Sequence, residues 1–132
     1  MTYDKEKILE NEEILEEVGH KIWLYEKEYA GKYEVVESRR QDFLEALNLI
    51  LYTTSGVFDE REISEIDISP DSEEATIELL IDIFEVGSDS IAKLSKIILN
   101  TIGFSIKMAE GCDEEDPYIS IVVKLKSIWK HV

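Results

Sequence analysis

Ile8, Leu15, Val18, Ile22, Tyr25 and Tyr29 recur at spacings of seven, three, four, three and four residues. Residues spaced in this way share one face of a helix. The pattern therefore predicts one long helix from about Asp4 to Ala30. Asn11 sits where an apolar residue would complete the stripe. Gly31 is the expected stop, because glycine tolerates the left-handed backbone with which many helices end. A second helix is predicted after Ser38. Ser38 and Gln41 have the spacing of a capping box. Phe43, Leu47, Ile50 and Leu51 then make one apolar face that ends near Thr53 to Gly56.

The period then changes from helical to alternating. Ile66 and Ile68 alternate with acids, and Ile77, Leu79, Ile81 and Ile83 occupy four consecutive odd positions. Ser69-Pro70-Asp71-Ser72 between the two runs is a turn sequence. The pattern predicts a β-hairpin. A helix starting after Ser69, with Pro70 as its first residue, is the rival reading. The hairpin is preferred because four consecutive odd positions are apolar and isoleucine, which favours strands, is abundant here, although Ile77, Leu80, Ile81 and Phe84 would suit the helix. Ser88 to Thr101 reads as a helix carrying Ile91, Leu94, Ile98 and Ile102 on one face. Phe104, Ile106 and Met108 alternate as a strand, Gly111 to Pro117 is a loop, and Ile119, Ile121, Val123 and Leu125 alternate as the last strand. The predicted class is α+β: two N-terminal helices, then a β-β-α-β-β unit forming one antiparallel sheet covered by helices. A single domain over 1–132 is expected, with its helical part at 1–56 and its β-β-α-β-β part at 57–132.

The length of 132 residues suits one such domain. Charge adds more. Thirty acids against fourteen bases give a net charge of −16. Residues 41–86 hold thirteen acids and a single base, Arg61, a net −12, whereas residues 87–132 hold six of each. Such a segment attracts cations and basic proteins. It argues against direct binding of nucleic acid or an anionic membrane, which need clustered lysine and arginine. Solubility alone is the competing explanation of the charge. The lone Cys112 cannot form an internal disulfide, so a reducing cytoplasm is the expected compartment. Met1 to Glu17 is mostly charged, so no signal segment is expected there. The longest apolar runs are too short to span a bilayer.

Catalytic patterns are lacking. The six glycines are too scattered for a phosphate loop. His20 lies in a helix and His131 next to the end of the chain, neither beside a serine on an elbow turn. Cys112 precedes Asp113-Glu114-Glu115-Asp116, whose charge disfavours a thiolate. That acidic run lacks the alternation and glycine turn of a calcium loop. No catalytic residue, cofactor or metal site is therefore assigned.

Binding features are clearer. Trp23 lies about 100° from the apolar stripe of the first helix, among polar and small residues. It is either an interface anchor or a residue packed on the sheet or on Trp129. The stripe itself packs internally or forms the seam of a homodimer. In the hairpin, placing Ile66 across from Ile77 puts Glu65 opposite Glu78, Arg61 opposite Asp82 and Ile63 opposite Leu80, all on one face. Facing like charges destabilise a hairpin, and a cationic partner would relieve them. The candidate partner-binding residues are Glu65, Asp67, Glu78, Leu80, Asp82, Phe84 and Trp23.

In size and acidity the chain resembles toxin-immunity proteins and phage-encoded inhibitors, which neutralise basic nucleases or nucleic-acid-binding machines. It also resembles acidic dimeric secretion chaperones, and its β-β-α-β-β order is similar to that of protease-adaptor domains. These are resemblances of composition and element order, without a shared motif. They imply a non-enzymatic inhibitor or immunity-type protein that sequesters a basic partner. The alternative is a dimeric chaperone or adaptor that holds a polypeptide on a sheet edge or in a helix groove.

Overall fold

The computed structural model describes residues 5–58, 61–82, 87, 92, 95, 103–109 and 118–132, with the backbone alone for 104–109 and 118. Helix α1 spans Lys5–Glu28 and helix α2 spans Glu37–Val57. The predicted stripe is the inner face of α1. Val18 and Ile22 are buried, and Ile14, Leu15 and Tyr25 pack against the same core. Gly31 follows α1 with φ +86°, the left-handed conformation expected of a stop. Phe43, Leu47, Ile50 and Leu51 are buried on α2.

The start of α2 differs from expectation. Its N-cap is Val36, in extended conformation and with no side-chain cap, so Ser38 lies inside the first turn. The cause is a short strand, β1 (Tyr33–Val35), which runs directly into the helix. The amide of Val36 donates to the carbonyl of Ile128 at 2.7 Å, so a tertiary backbone bond sets the helix start.

The remaining strands are β2 (Arg61–Asp67), β3 (Glu74–Asp82), β4 (Gly103–Ala109), β5 (Tyr118–Lys126) and β6 (Trp129–His131). The class is mixed helix and antiparallel sheet, but the described strands form two sheets instead of one. A four-stranded sheet has the order β2-β3-β5-β4, and β1 pairs with β6 in a separate two-stranded sheet. The three-residue strands β1 and β6 are too short to show alternation, which is why the sequence pattern misses them. The helix predicted over Ser88 to Thr101 lies outside the described residues, Ala92 and Ser95 excepted. The loop from Gly111 to Pro117 also lies outside them.

The hairpin is formed, and β3 is a strand throughout Glu74–Asp82, which excludes the helix reading for those residues. Its turn is built by Asp67. One carboxylate oxygen accepts the amide of Ser69 at 3.0 Å, and the other accepts the hydroxyl of Ser72 at 2.8 Å. The turn is tied to α1 by the Tyr29 hydroxyl, which donates to Asp71 at 2.8 Å. That bond, with the negative charge of Asp71, pushes the Tyr29 phenol up to about 12.

On β3, Ala75, Ile77, Leu79 and Ile81 are buried and alternate with half-buried residues. Across the ladder stand Leu125, Val123, Ile121 and Ile119 of β5. This inner face of the sheet shares one core with Val18, Ile22, Phe43, Leu47, Ile50 and Leu51 of the two helices. Trp129 closes the end of the core. Its indole donates to the Ile68 carbonyl at 2.7 Å, and its ring meets Tyr25 edge-on at 6.3 Å.

Candidate protein-interaction surface

The outer face of the sheet, turned away from α1 and α2, follows from the register of β3, and on it Ser120 of β5, opposite Leu80, is buried. Glu74, Thr76, Glu78, Leu80 and Asp82 alternate with the buried positions. Glu65 stands directly opposite Glu78, and Ile66 opposite Ile77, the register assumed from the sequence for this part of the hairpin. Directly paired side chains lie about 5 Å apart at Cβ.

Beyond Glu65 the register shifts by one residue, through a bulge between Ile63 and Glu65. Ile63 pairs with Leu79 and Arg61 with Ile81, so both belong to the inner face, not to the outer face as expected. Glu62 takes the place next to Leu80. A bulge inserts one residue and inverts the alternation beyond it. Ser64 is that residue, and its hydroxyl donates to the Glu78 carboxylate at 2.6 Å. The signal in the sequence was the spacing of three between Ile63 and Ile66, which an unbroken strand cannot place on one face.

Redirected inward, Arg61 finds Asn11. The Arg61 side chain is 5% exposed. One of its terminal nitrogens donates to the Asn11 side-chain oxygen and to the Leu51 carbonyl, the latter at 3.2 Å. The other stands 3.8 Å from the carboxylate of Glu10. Asn11 is fully buried and donates to Ser55 at 3.3 Å. Burial pushes the Arg61 guanidinium below its ordinary value, and the Glu10 charge pushes it back. The polar break in the α1 stripe thus meets the single base of the acidic segment through one guanidinium nitrogen, while Nε and Nη1 of Arg61 are buried without a hydrogen-bond partner among the described residues.

The predicted site residues do not form one surface. Glu65, Glu78, Leu80 and Asp82 occupy the outer face of β2 and β3. Asp67 lies at the end of that row, but both its oxygens are engaged in the turn. Phe84 lies outside the described residues, as do Cys112 and Asp113 to Asp116. Trp23 is 48% exposed on the solvent side of α1, a helix that packs on the opposite face of the sheet. Among the described residues it makes no ring contact with Trp129. It stacks instead on His20 at 5.7 Å between centroids, and the Lys27 ammonium sits 3.7 Å from the centre of its ring.

The neighbouring strand moderates the acidic face. Lys124 of β5 stands opposite Thr76 and reaches Glu74 at 3.8 Å, and Lys126 stands opposite Glu74. Among the described residues no ion pair engages Glu62, Glu65 or Glu78. The negative charge is therefore concentrated toward β2, the edge strand.

Between β2 and α1 runs a groove of about 230 Å³, lined by Ile14, Glu17, Val18, Lys21, Ile63, Ser64, Glu65 and Ile66. Its volume lies below the usual range of small-molecule pockets. Among the described residues no three His, Cys, Asp or Glu side chains are grouped to hold a metal ion. No described helix is long and apolar enough to cross a membrane. Comparison with protein-family models, with curated proteins and with solved structures finds no match to this chain.

Proposed function

We propose that this chain is a non-enzymatic protein-binding module, an acidic inhibitor or immunity-type protein that sequesters a basic partner. The observation that carries this reading is the row Glu62, Glu65 and Glu78 on the edge hairpin, with Glu65 facing Glu78 and no cation paired to any of the three among the described residues. The half-buried Leu80 and Val122 beside the row supply apolar contact. Facing carboxylates cost the hairpin a few tenths of a kcal/mol to about 1 kcal/mol. A cationic surface would turn that cost into attraction and steer association.

The test replaces Glu65 and Glu78 together by glutamine. The double variant should be slightly more stable than the wild type. It should associate more slowly with a partner isolated from the source cell, and its association should respond less to salt. Equal association rates and equal salt dependence would remove the acidic row from the mechanism. The second reading, a chaperone or adaptor holding a polypeptide on a sheet edge, is favoured by one observation: β2 is an edge strand flanked by the groove.

A further inference from the structure

We infer that the groove between α1 and β2 seats an extended segment of the partner, one that alternates branched aliphatic residues with lysine or arginine, laid along the free edge of β2. The inference rests on the reading of this chain as a binder of basic protein, and it names the place and the form of the ligand.

Three observations lead there. First, among the described strands β2 ends the four-stranded sheet and pairs only with β3. Among the described residues no backbone group of β2 bonds to any other segment. Such an edge is a template for an added strand. Second, the bulge at Ser64 brings both Ile63 and Ile66 to the groove side, where they face Ile14 and Val18. The result is an apolar floor suited to side chains at alternate positions of a guest strand. Third, Glu17 stands on the helix wall and Glu65 on the strand wall, against Lys21. Through Glu65 the groove continues into the acidic row of the outer face.

The same charges exclude the most obvious rival, a second copy of this chain. Pairing two β2 edges would bring Glu62 and Glu65 of both copies together, between molecules that each carry −16. Like charges directly opposite are destabilising. The bulge also limits the ladder available to a guest, so recognition falls mainly on the two isoleucines and the glutamates.

The test uses a synthetic peptide of about eight residues alternating lysine with valine, long enough to span β2 at roughly 3.3 Å per residue. Two controls replace lysine by glutamate, or valine by alanine. The full-length protein is titrated while its backbone amides are followed by NMR. The lysine–valine peptide should shift amides of β2 and of the facing turns of α1, and both controls should bind at least tenfold more weakly. Glu17→Lys, at an exposed position, should weaken binding about tenfold, and Ile14→Trp should fill the groove with a similar loss. The paired change Glu62→Gln and Glu78→Gln, confined to the outer face, should have a smaller effect. Loss of binding in that pair with Glu17→Lys unaffected would overturn the groove and leave the acidic-binder reading standing. Failure of the peptide to bind at millimolar concentration, or equal binding of the glutamate control, would overturn the inference. Concentration-dependent dimers abolished by Glu17→Lys would assign the groove to a second copy and overturn it equally.

Discussion

Replacing Asn11 by leucine completes the apolar stripe of α1, and on sequence pattern alone it should stabilise the protein. The structure demands the opposite. Arg61 is held inside by the Asn11 oxygen and the Leu51 carbonyl, with Glu10 alongside. Asn11→Leu removes one charge-assisted bond from a buried guanidinium, at about 1.5–3 kcal/mol. Arg61→Ala strips both bonds, leaves the fully buried Asn11 oxygen without its donor and opens space in the core. The expected loss is about 3 kcal/mol, at the lower end for a broken buried pair, because Glu10 is half-exposed. The double variant Asn11→Leu with Arg61→Met replaces the whole group by apolar side chains of similar size. It should lie within about 1 kcal/mol of the wild type, since matched apolar replacement of buried polar partners is often neutral.

Urea denaturation followed by circular dichroism measures these differences. With a slope of roughly 1–3 kcal/mol per molar urea, either single variant should lower the midpoint by about 0.5–3 M. The double-mutant cycle, closed with the single variant Arg61→Met, should give a coupling of about 2 kcal/mol or more. A neutral or stabilising Asn11→Leu would refute the reasoning, because Arg61 would then not depend on Asn11 for its inward position. Additive losses in the double variant would refute the coupling even if each single change is costly.

Tyr29→Phe should remove from an ultraviolet pH titration a tyrosine that ionises well above its ordinary value. The phenol is raised to about 12, so its bond to Asp71 persists below the ordinary value of 10 and is lost as pH rises from 10 through about 12. Trp129→Phe should cost about 1–3 kcal/mol in denaturant, because it leaves the buried Ile68 carbonyl unbonded, and should leave only the red-shifted emission of exposed Trp23. Trp23→Ala should change stability by no more than about 0.5 kcal/mol; a loss above 1 kcal/mol in the same denaturation assay would show that the His20 and Lys27 contacts are structural. Glu78→Pro should abolish folding by circular dichroism, since β3 pairs on both sides and proline removes a ladder donor.

The elements with the most repeats of their period were the most legible. The stripe of α1 and the alternation of β3 and β5 placed those elements within a few residues, because one face of each is buried against the same core. The register assumed from pairing Ile66 with Ile77 is that of the structure only on the turn side of Ser64. There Glu65 lies across from Glu78, and Ser64 then breaks the count. The part played by Asp67 is local chemistry that the charge pattern conceals, since an aspartate two residues before a serine at a turn can accept its amide. Asn11 was visible as a break in the stripe, but its partner is fifty residues away and shows only in three dimensions. The start of α2 was misplaced for a similar reason: a backbone bond to Ile128 competes with a local cap and wins.

The bulge links the interior to the charged surface. In an unbroken register Arg61 would stand on the outer face opposite Asp82, and the single base of residues 41–86 would sit among the acids it could neutralise. Ser64 turns it inward, where Asn11 and Leu51 satisfy part of its hydrogen-bonding capacity and its side chain is 5% exposed. Withdrawing that cation from the outer face leaves Glu62, Glu65 and Glu78 beside one another without a basic neighbour on β2. The Ser64 hydroxyl, bonded to Glu78, offsets part of the resulting repulsion. The bulge also carries Ile63 into the groove beside Ile66 and Ile14. One inserted residue therefore anchors α1 to the edge strand through Arg61, strengthens the negative field of the outer face and gives the groove its apolar floor. The negative field and the apolar floor meeting on this edge are the two features that the proposed site for a cationic, partly apolar polypeptide requires, and the Arg61 anchor ties the groove's helix wall to its strand wall.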